Sequence, residues 1–306
     1  MEYKKINVLI VTYKQAEVIG RNIDSILQQK EYGLNEIVIC DDCSPDNNWD
    51  VIQSYAKKYP KYIRAYRNNP NLGIYGNSDK CASLCGDADL YCWLEGDDAL
   101  CEGFFKAVQE LINNNNIDVS QRIGIQADYL IIDANGNSRC IDNSYLGKHK
   151  CKPISARVRG LSTWRASVFS KQVIKSFNPT ILDKGLALAE SLFDNQWFQY
   201  TDKFYYTHVN GSIYYSGIGV SVNLNSKNCD FLTNESIVKW NYWIENCLSD
   251  RRDIFFAKSQ IELAKLRTNQ SFFTFCKYAF YSLLGSLGYP FKIKRLFYPL
   301  KYVKTL

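Results

Sequence analysis

Asp89-Leu90-Tyr91-Cys92-Trp93-Leu94-Glu95-Gly96-Asp97-Asp98 reads as a buried strand that runs straight into a cluster of carboxylates. Apolar residues fill the first part without alternation, as in a strand covered on both faces. Glu95, Asp97 and Asp98 then place like charges side by side, which is costly unless a cation or a donor-rich ligand sits among them. Hard divalent ions such as Mg²⁺ and Mn²⁺ prefer oxygen ligands and keep positions open for substrate phosphates. The stretch therefore points to a metal–diphosphate site. Taken alone, a solvated acidic turn fits it equally well.

Upstream, the same grammar repeats. Residues 6–12 form a β-branched run of the kind buried in a parallel sheet, and Ile19, Ile23, Ile26 and Leu27 follow at helical spacing. Glu36 to Cys40 reads as a second strand, ending at Asp41-Asp42-Cys43-Ser44-Pro45-Asp46, with a helix through Trp49, Ile52, Tyr55 and Ala56. Tyr62 to Tyr66 is a third strand, followed by an Asn/Pro/Gly loop and a helix over Ile74 to Cys85. Strands and helices alternating at this period mean βαβ units, hence an α/β fold with helices on both faces of a mostly parallel sheet. Ligands of such sheets bind outside the carboxyl ends of the strands. Thr12-Tyr13, Asp41-Asp42, Asn71-Leu72-Gly73 and Glu95-Gly96-Asp97-Asp98 all fall there. Polar strand-to-helix loops are also ordinary, and Asp46 is explained by helix capping alone.

The second half reads differently. Phe104, Val108, Leu111 and Ile112 mark a helix, Arg122 to Asp133 a strand, and Asn135-Gly136 a hairpin turn before Cys140 and Ile141. Residues 142–157 read as a mobile basic loop, Gly160 to Trp164 as a strand, and Ser170 as the cap of a helix ending near Phe177. Leu186 to Tyr200 reads as a helix carrying Glu190 and Asp194 one turn apart on one face. Lys203 to Thr207 and Ser212 to Ser216 are expected as two short strands, then Gly217-Ile218-Gly219-Val220-Ser221 as a closing loop. From about Asn234 to Leu284 the pattern is helical.

The formal charge of +6 on 306 residues is unevenly placed. No acid follows Glu262, whereas Lys265, Arg267, Lys277, Lys292, Lys294, Arg295, Lys301 and Lys304 do; removing those eight leaves −2 for residues 1–262. A basic, aromatic tail without acids fits an interfacial segment on an anionic bilayer, and equally a helical appendage packed on the body. No nucleic-acid-binding module accompanies the charge, so nucleic acid is not expected as a partner. Eleven cysteines in strand-like contexts, with no signal peptide, point to reduced thiols and a cytoplasmic protein, peripheral on the inner face of the membrane if the tail binds lipid. Cys81 and Cys85 lack the partners of a zinc site, and His149 and His208 are too few for a histidine metal centre.

With Val11-Thr12-Tyr13, Ile39-Cys40-Asp41-Asp42-Cys43-Ser44-Pro45-Asp46, Asn71-Leu72-Gly73-Ile74-Tyr75-Gly76-Asn77 and Leu94-Glu95-Gly96-Asp97-Asp98 in this order, the chain resembles the family 2 glycosyltransferases with the GT-A fold. The likeness is close over residues 6–113 and looser over about 120–222. It implies a catalytic domain over 1–222, with a nucleotide-binding half at 1–113 and an acceptor-binding half at 114–222. Residues 223–306 are left as a helical, basic appendage.

The resemblance also implies roles. Thr12, Tyr13, Asn71, Gly73, Asn77 and Gly96 would line the nucleotide site, and Asp41 and Asp42 would accept hydrogen bonds from the base and ribose of a nucleoside diphosphate, expected to be UDP. Glu95 and Asp97 take the acidic positions of the family's Asp-x-Asp motif, with Asp97 holding Mn²⁺ or Mg²⁺ and Asp98 beside the donor sugar. Glu190 is the first choice for the base that takes the acceptor proton, and Asp194 the second. The acceptor would be a glycan or lipid-linked oligosaccharide hydroxyl that attacks the donor's anomeric carbon with inversion, in the making of a surface polysaccharide or glycolipid. Departures are Lys14 for the usual Asn, Cys43 for the usual Gly, and Glu95 for Asp. Tyr214-Tyr215-Ser216-Gly217 stands where Tyr-Arg-x-His is common, so a cationic contact to the diphosphate must come from elsewhere or be absent. A nucleotidyltransferase, or a sugar-nucleotide-binding scaffold without turnover, remains as the alternative; the former should show a glycine-rich loop after strand one, which Thr12-Tyr13-Lys14-Gln15 lacks.

Overall fold

A computed structural model of the chain describes residues 2–178, 193, 195–217, 229–268 and 271–287, with backbone alone for 229–232. One mixed sheet organises the molecule, in the order β3-β2-β1-β4-β8-β6-β9-β5 with β7 paired to β6. The strands are β1 (Ile6–Thr12), β2 (Leu34–Asp41), β3 (Ile63–Arg67), β4 (Leu90–Glu95), β5 (Ala99–Leu100), β6 (Ile123–Ile132), β7 (Ser138–Ile141), β8 (Ser167–Ser170) and β9 (Lys203–Tyr215). The first four in sheet order are parallel, and β8 joins antiparallel between β4 and β6.

Helices α1 (Ile19–Leu27), α2 (Asn48–Lys58), α3 (Gly73–Leu84) and α4 (Phe104–Asn114) connect the strands as expected. Because side chains alternate along a strand, β1 feeds two cores. Ile6, Val8 and Ile10 pack with Ile19, Ile23 and Phe104 on one face, while Leu9 and Val11 pack with Cys81, Trp93, Phe169 and Trp197 on the other. Strand order reverses at β1, which has β2 on one side and β4 on the other. That crevice is where open α/β sheets bind ligands.

Four expectations need correction. The run 160–164 is not a strand: Gly160 and Ala166 have φ of +65° and +51°, so extended structure begins only at Ser167. Residues 142–157 are not a loose loop but carry two short helices, α5 (Tyr145–Lys148) and α6 (Pro153–Val158), with Leu146 and Ala156 in the core. Ser170 holds the N-cap position of α7 (Lys171–Ile174) as expected, but its hydroxyl makes no cap hydrogen bond and instead donates to Gln121 O and accepts from Ile123 N, and the helix stops at Ile174. The two short strands expected over 203–216 are one, because the irregular stretch between Tyr206 and Ser212 is absorbed as register shifts against β6.

The C-terminal region forms α8 (Cys229–Asn246), α9 (Arg251–Thr268) and α10 (Phe272–Gly285). It meets the body at α6, where Val158 packs with Trp243, Leu248 and Ala257. The buried Arg159 guanidinium pairs with Asp253 at 2.8 Å and donates to Gly285 O at 2.6 Å, while Ser155 donates to Asp253. Residues 229–287 thus contact the body through α6. The expected closing loop beyond Gly217 and the tail beyond 287 lie outside the described residues.

Candidate active site

At the switch point, Val11 of β1 lies opposite Glu95 of β4, and the chain after each strand turns over the sheet edge. The acidic turn is closed by Asp98 N donating to Glu95 O at 3.0 Å. Its backbone is gripped from α1: Asn22 Nδ2 donates to Glu95 O and Asp98 O, at 2.8 and 3.0 Å, and Arg21 Nη2 to Asp97 O at 2.8 Å. Gly96 is dictated by close approach. A Cβ there would sit 2.8 Å from Thr12 Cβ and collide with Gln15 Oε1, and Gly96 N donates to Val11 O.

The three acids of the turn converge. Glu95, Asp97 and Asp98 can each present an oxygen within 4.8 Å of the others. Burial, and then the neighbouring Glu95, push the Asp97 carboxyl up to about 6. Burial likewise raises Asp98, against the opposing pull of Arg165. Arg165 reaches over from the β6–β8 side, with Nη1 2.9 Å from Asp98 Oδ2 and Nη2 3.2 Å from Glu95 Oε2. Burial works against its charge, but Glu95 and Asp98 outweigh it and leave the guanidinium more basic than usual. One guanidinium among three carboxylates leaves net negative charge, and Asp98 Oδ1 is buried without a hydrogen-bond partner among the described residues. An all-oxygen set with an unsatisfied buried atom fits a hard divalent cation.

Sequence reasoning did not find the arginines. Arg165 lies over the Tyr214 ring at 4.3 Å and Arg21 over the Tyr215 ring at 3.6 Å. The Tyr214-Tyr215 segment thus stacks on cations that other elements supply. No local pattern signals an ion pair between residues 67 apart in the chain.

Around the turn, the predicted nucleotide residues form a polar floor. Asn48, also missed, donates through Nδ2 to Asp41 Oδ1 at 2.7 Å and to Thr12 Oγ1 at 3.1 Å, tying β1 to β2. The buried Asp41 accepts in addition from Ser44 N and lies 3.4 Å from Arg67 Nε. Asp42 Oδ1 accepts from Asn68 Nδ2 and Leu72 N. Asn71 links Asp42 O to Gly73 N, and Asn77 links Asn68 to Cys40 O. Asp41, Asn71 and Asn77 thus hold the loops together, while Tyr13 stands partly exposed beside them. Asp46 accepts from Ala16 N and from Asn48 N at the start of α2. Lys14 and Cys43, two of the departures from the family pattern, have φ of +57° and +59°, a region that Asn and Gly tolerate best.

Beside Glu95 opens a cavity of about 250 Å³, walled by Ile74, Tyr75, Trp93, Trp164 and Phe193, with Arg157 and Arg165 at its edge. Phe193 packs on Trp93 at 4.7 Å, two residues before Glu95. Glu190 and Asp194 lie outside the described residues, so the structure sets only their neighbour Phe193 against the site.

The comparisons follow this geometry. The chain is 27% identical over 250 residues to the poly(ribitol-phosphate) beta-N-acetylglucosaminyltransferase TarP of Staphylococcus aureus, covering 77% of this chain and 72% of that one. It spans only 40% and 34% of the lengths of two other curated relatives. Its fold is similar to S. aureus TarS solved with UDP-GlcNAc, with TM-score 0.57 and 13% identity over 92% of this chain and 86% of that one. It is also similar to a mannosyltransferase of Pyrobaculum calidifontis solved with GDP-Man and Mn²⁺, with TM-score 0.55 and 10% identity over 98% and 80%. These likenesses establish the GT-A architecture expected from the strand-end motifs. The model for glycosyl transferase family 2 matches residues 7–165, which run from β1 through Arg165, and the chain belongs to that family.

Proposed function

We propose that the chain moves a sugar from a nucleoside-diphosphate donor, with uridine as the nucleoside, to a hydroxyl of a surface glycan or its lipid-linked precursor. The observation that carries this is the convergence of Glu95, Asp97 and Asp98 within 4.8 Å at the β1/β4 switch point. The relatives' printed substrates support the donor class, and family membership leaves a nucleotidyltransferase without support.

Asp97 and Glu95, with Asp98, would hold Mn²⁺ or Mg²⁺; when bound, such an ion stabilises the leaving diphosphate. Arg165 adds fixed positive charge at the same edge of the sheet, where charge develops on the leaving group. Thr12, Tyr13 and Asp42 would border the nucleoside, with Asp41, Asn71, Gly73, Asn77 and Gly96 fixing the loops that carry them. The cavity beside Glu95, with Trp93, Trp164 and Phe193 in its wall, would take the sugar. Glu190, or in second place Asp194, would accept the proton of the attacking hydroxyl. We assign the donor to residues 1–113, the acceptor to 114–222, and a helical appendage to 223–306.

The test is nucleotide release from a panel of UDP- and GDP-sugars with Mn²⁺, with and without candidate glycan acceptors. UDP-sugar turnover is expected, with Glu190→Gln slower by roughly 10²–10⁴-fold at near-normal donor binding. Donor binding without turnover on any acceptor would favour a sugar-nucleotide-binding scaffold instead. A collapsed rate for Asp194→Asn with a normal rate for Glu190→Gln would transfer the base.

A further inference from the structure

Helix α10 is built inside out. Its buried face consists of Thr274, Tyr278, Ser282 and Gly285, which pack toward α9. Gly285 is required there, since a Cβ would sit 2.6 Å from Phe256 N. The opposite face is apolar and open: Phe273, Phe280, Leu283 and Leu287 are 67%, 59%, 55% and 58% exposed, and Phe272 borders them at 52%. At 100° per residue these side chains, with exposed Cys276, form one stripe diametrically opposed to the buried face. An ordinary surface helix has the reverse arrangement. Large apolar side chains gathered on one exposed face mark a contact with something other than water.

Charge decides between occupants. The only ionisable side chain on α10 besides the tyrosines and Cys276 is Lys277, which lies over the Phe273 ring at 4.5 Å. Arg267 ends α9 just before it, and the sequence beyond Leu287 adds Lys292, Lys294, Arg295, Lys301 and Lys304, with no acid after Glu262. A second copy docked on this face would bring Lys277 and Arg267 against like charges, with no carboxylate on α10 to answer them. An anionic lipid surface answers all of them and accepts the phenylalanines below its headgroups. No helix among the described residues is long and apolar enough to cross a membrane, so the contact is interfacial.

We propose that the exposed face of α10 is a docking surface for an anionic lipid bilayer. The contact lies in the appendage, which α6 ties to the body through Arg159 and Asp253, so seating α10 on a membrane orients the whole catalytic body over it. The inference stands apart from the donor and metal assignments.

The test is flotation of the full chain with vesicles of phosphatidylcholine alone or mixed with phosphatidylglycerol, comparing wild type with Phe273→Gln/Phe280→Gln/Leu283→Gln. All three positions are exposed, and an unchanged melting temperature verifies folding. Wild type is expected to float with anionic vesicles and much less with neutral ones, and the triple variant to bind at least about tenfold more weakly. Three results would overturn the proposal: no binding of wild type to either vesicle, equal binding by the variant, or a wild-type dimer that the variant dissolves while lipid binding stays absent. Equal wild-type binding to both vesicles would overturn the anionic assignment. If the variant is unfolded, Phe280→Trp replaces it, and an emission maximum unmoved by anionic vesicles overturns the proposal.

Discussion

Asp97 carries the clearest titration signature of the site. Its carboxyl is held at about 6 in the fold, against the ordinary value of 3.8. A raised acid binds its proton more tightly in the native state, so its contribution to stability is greatest below pH ~4 and is lost as pH rises through about 6. In metal-free protein, Asp97→Asn is therefore expected to raise stability at pH 7 by about 1–3 kcal/mol and to flatten the pH dependence between 4 and 6, as read by urea unfolding. Arg165 acts in the opposite sense. Its removal in Arg165→Gln leaves Glu95 and Asp98 uncompensated and should cost on the order of 3 kcal/mol, with Mn²⁺ restoring more stability to the variant than it adds to wild type. Cys43→Gly should stabilise by up to about 1 kcal/mol: relief of a left-handed penalty of about 1–2 kcal/mol is offset in part by glycine's chain entropy. At this scale the sequence showed the acids, because like charges adjacent in the chain are a local anomaly. It hid Arg165, Asn48 and Asn22, whose partners are close only in space.

Among the elements, α1 is the one that shapes the site. Its apolar face packs under the sheet while Arg21 and Asn22 hold the backbone of the acidic turn. Asn22→Ala removes both hydrogen bonds at once, so a loss of about 1–3 kcal/mol is expected, together with weaker Mn²⁺-dependent nucleotide binding; normal nucleotide binding would make Asn22 only a packing residue. The first four strands and the helices between them were legible because hydrophobic period and strand-end polarity agree there. Residues 160–164 were misread because Leu161 to Trp164 look extended by composition, whereas the left-handed residues at Gly160 and Ala166 bend the chain on both sides. The helices at 145–148 and 153–158 were missed because a basic surface concealed the few residues, Leu146 and Ala156, that bury.

For the molecule as a whole, the sheet supplies the site's edge and the helical appendage is tied to α6 by the packing of Val158 and by the buried Arg159–Asp253 ion pair. Asp253→Ala strands the Arg159 charge and should cost about 3–5 kcal/mol, loosening α8 to α10 from the body in hydrogen exchange before the sheet opens. The central claim is that the turn 95–98 binds a divalent ion together with a nucleoside diphosphate. It is tested most directly by calorimetric titration of UDP into wild type and Asp97→Asn, each with Mn²⁺ and with chelator. Mn²⁺ is expected to tighten UDP binding to wild type by at least about tenfold, or 1.4 kcal/mol, and to leave Asp97→Asn unchanged. Equal enhancement in both proteins, or none in wild type, would contradict it.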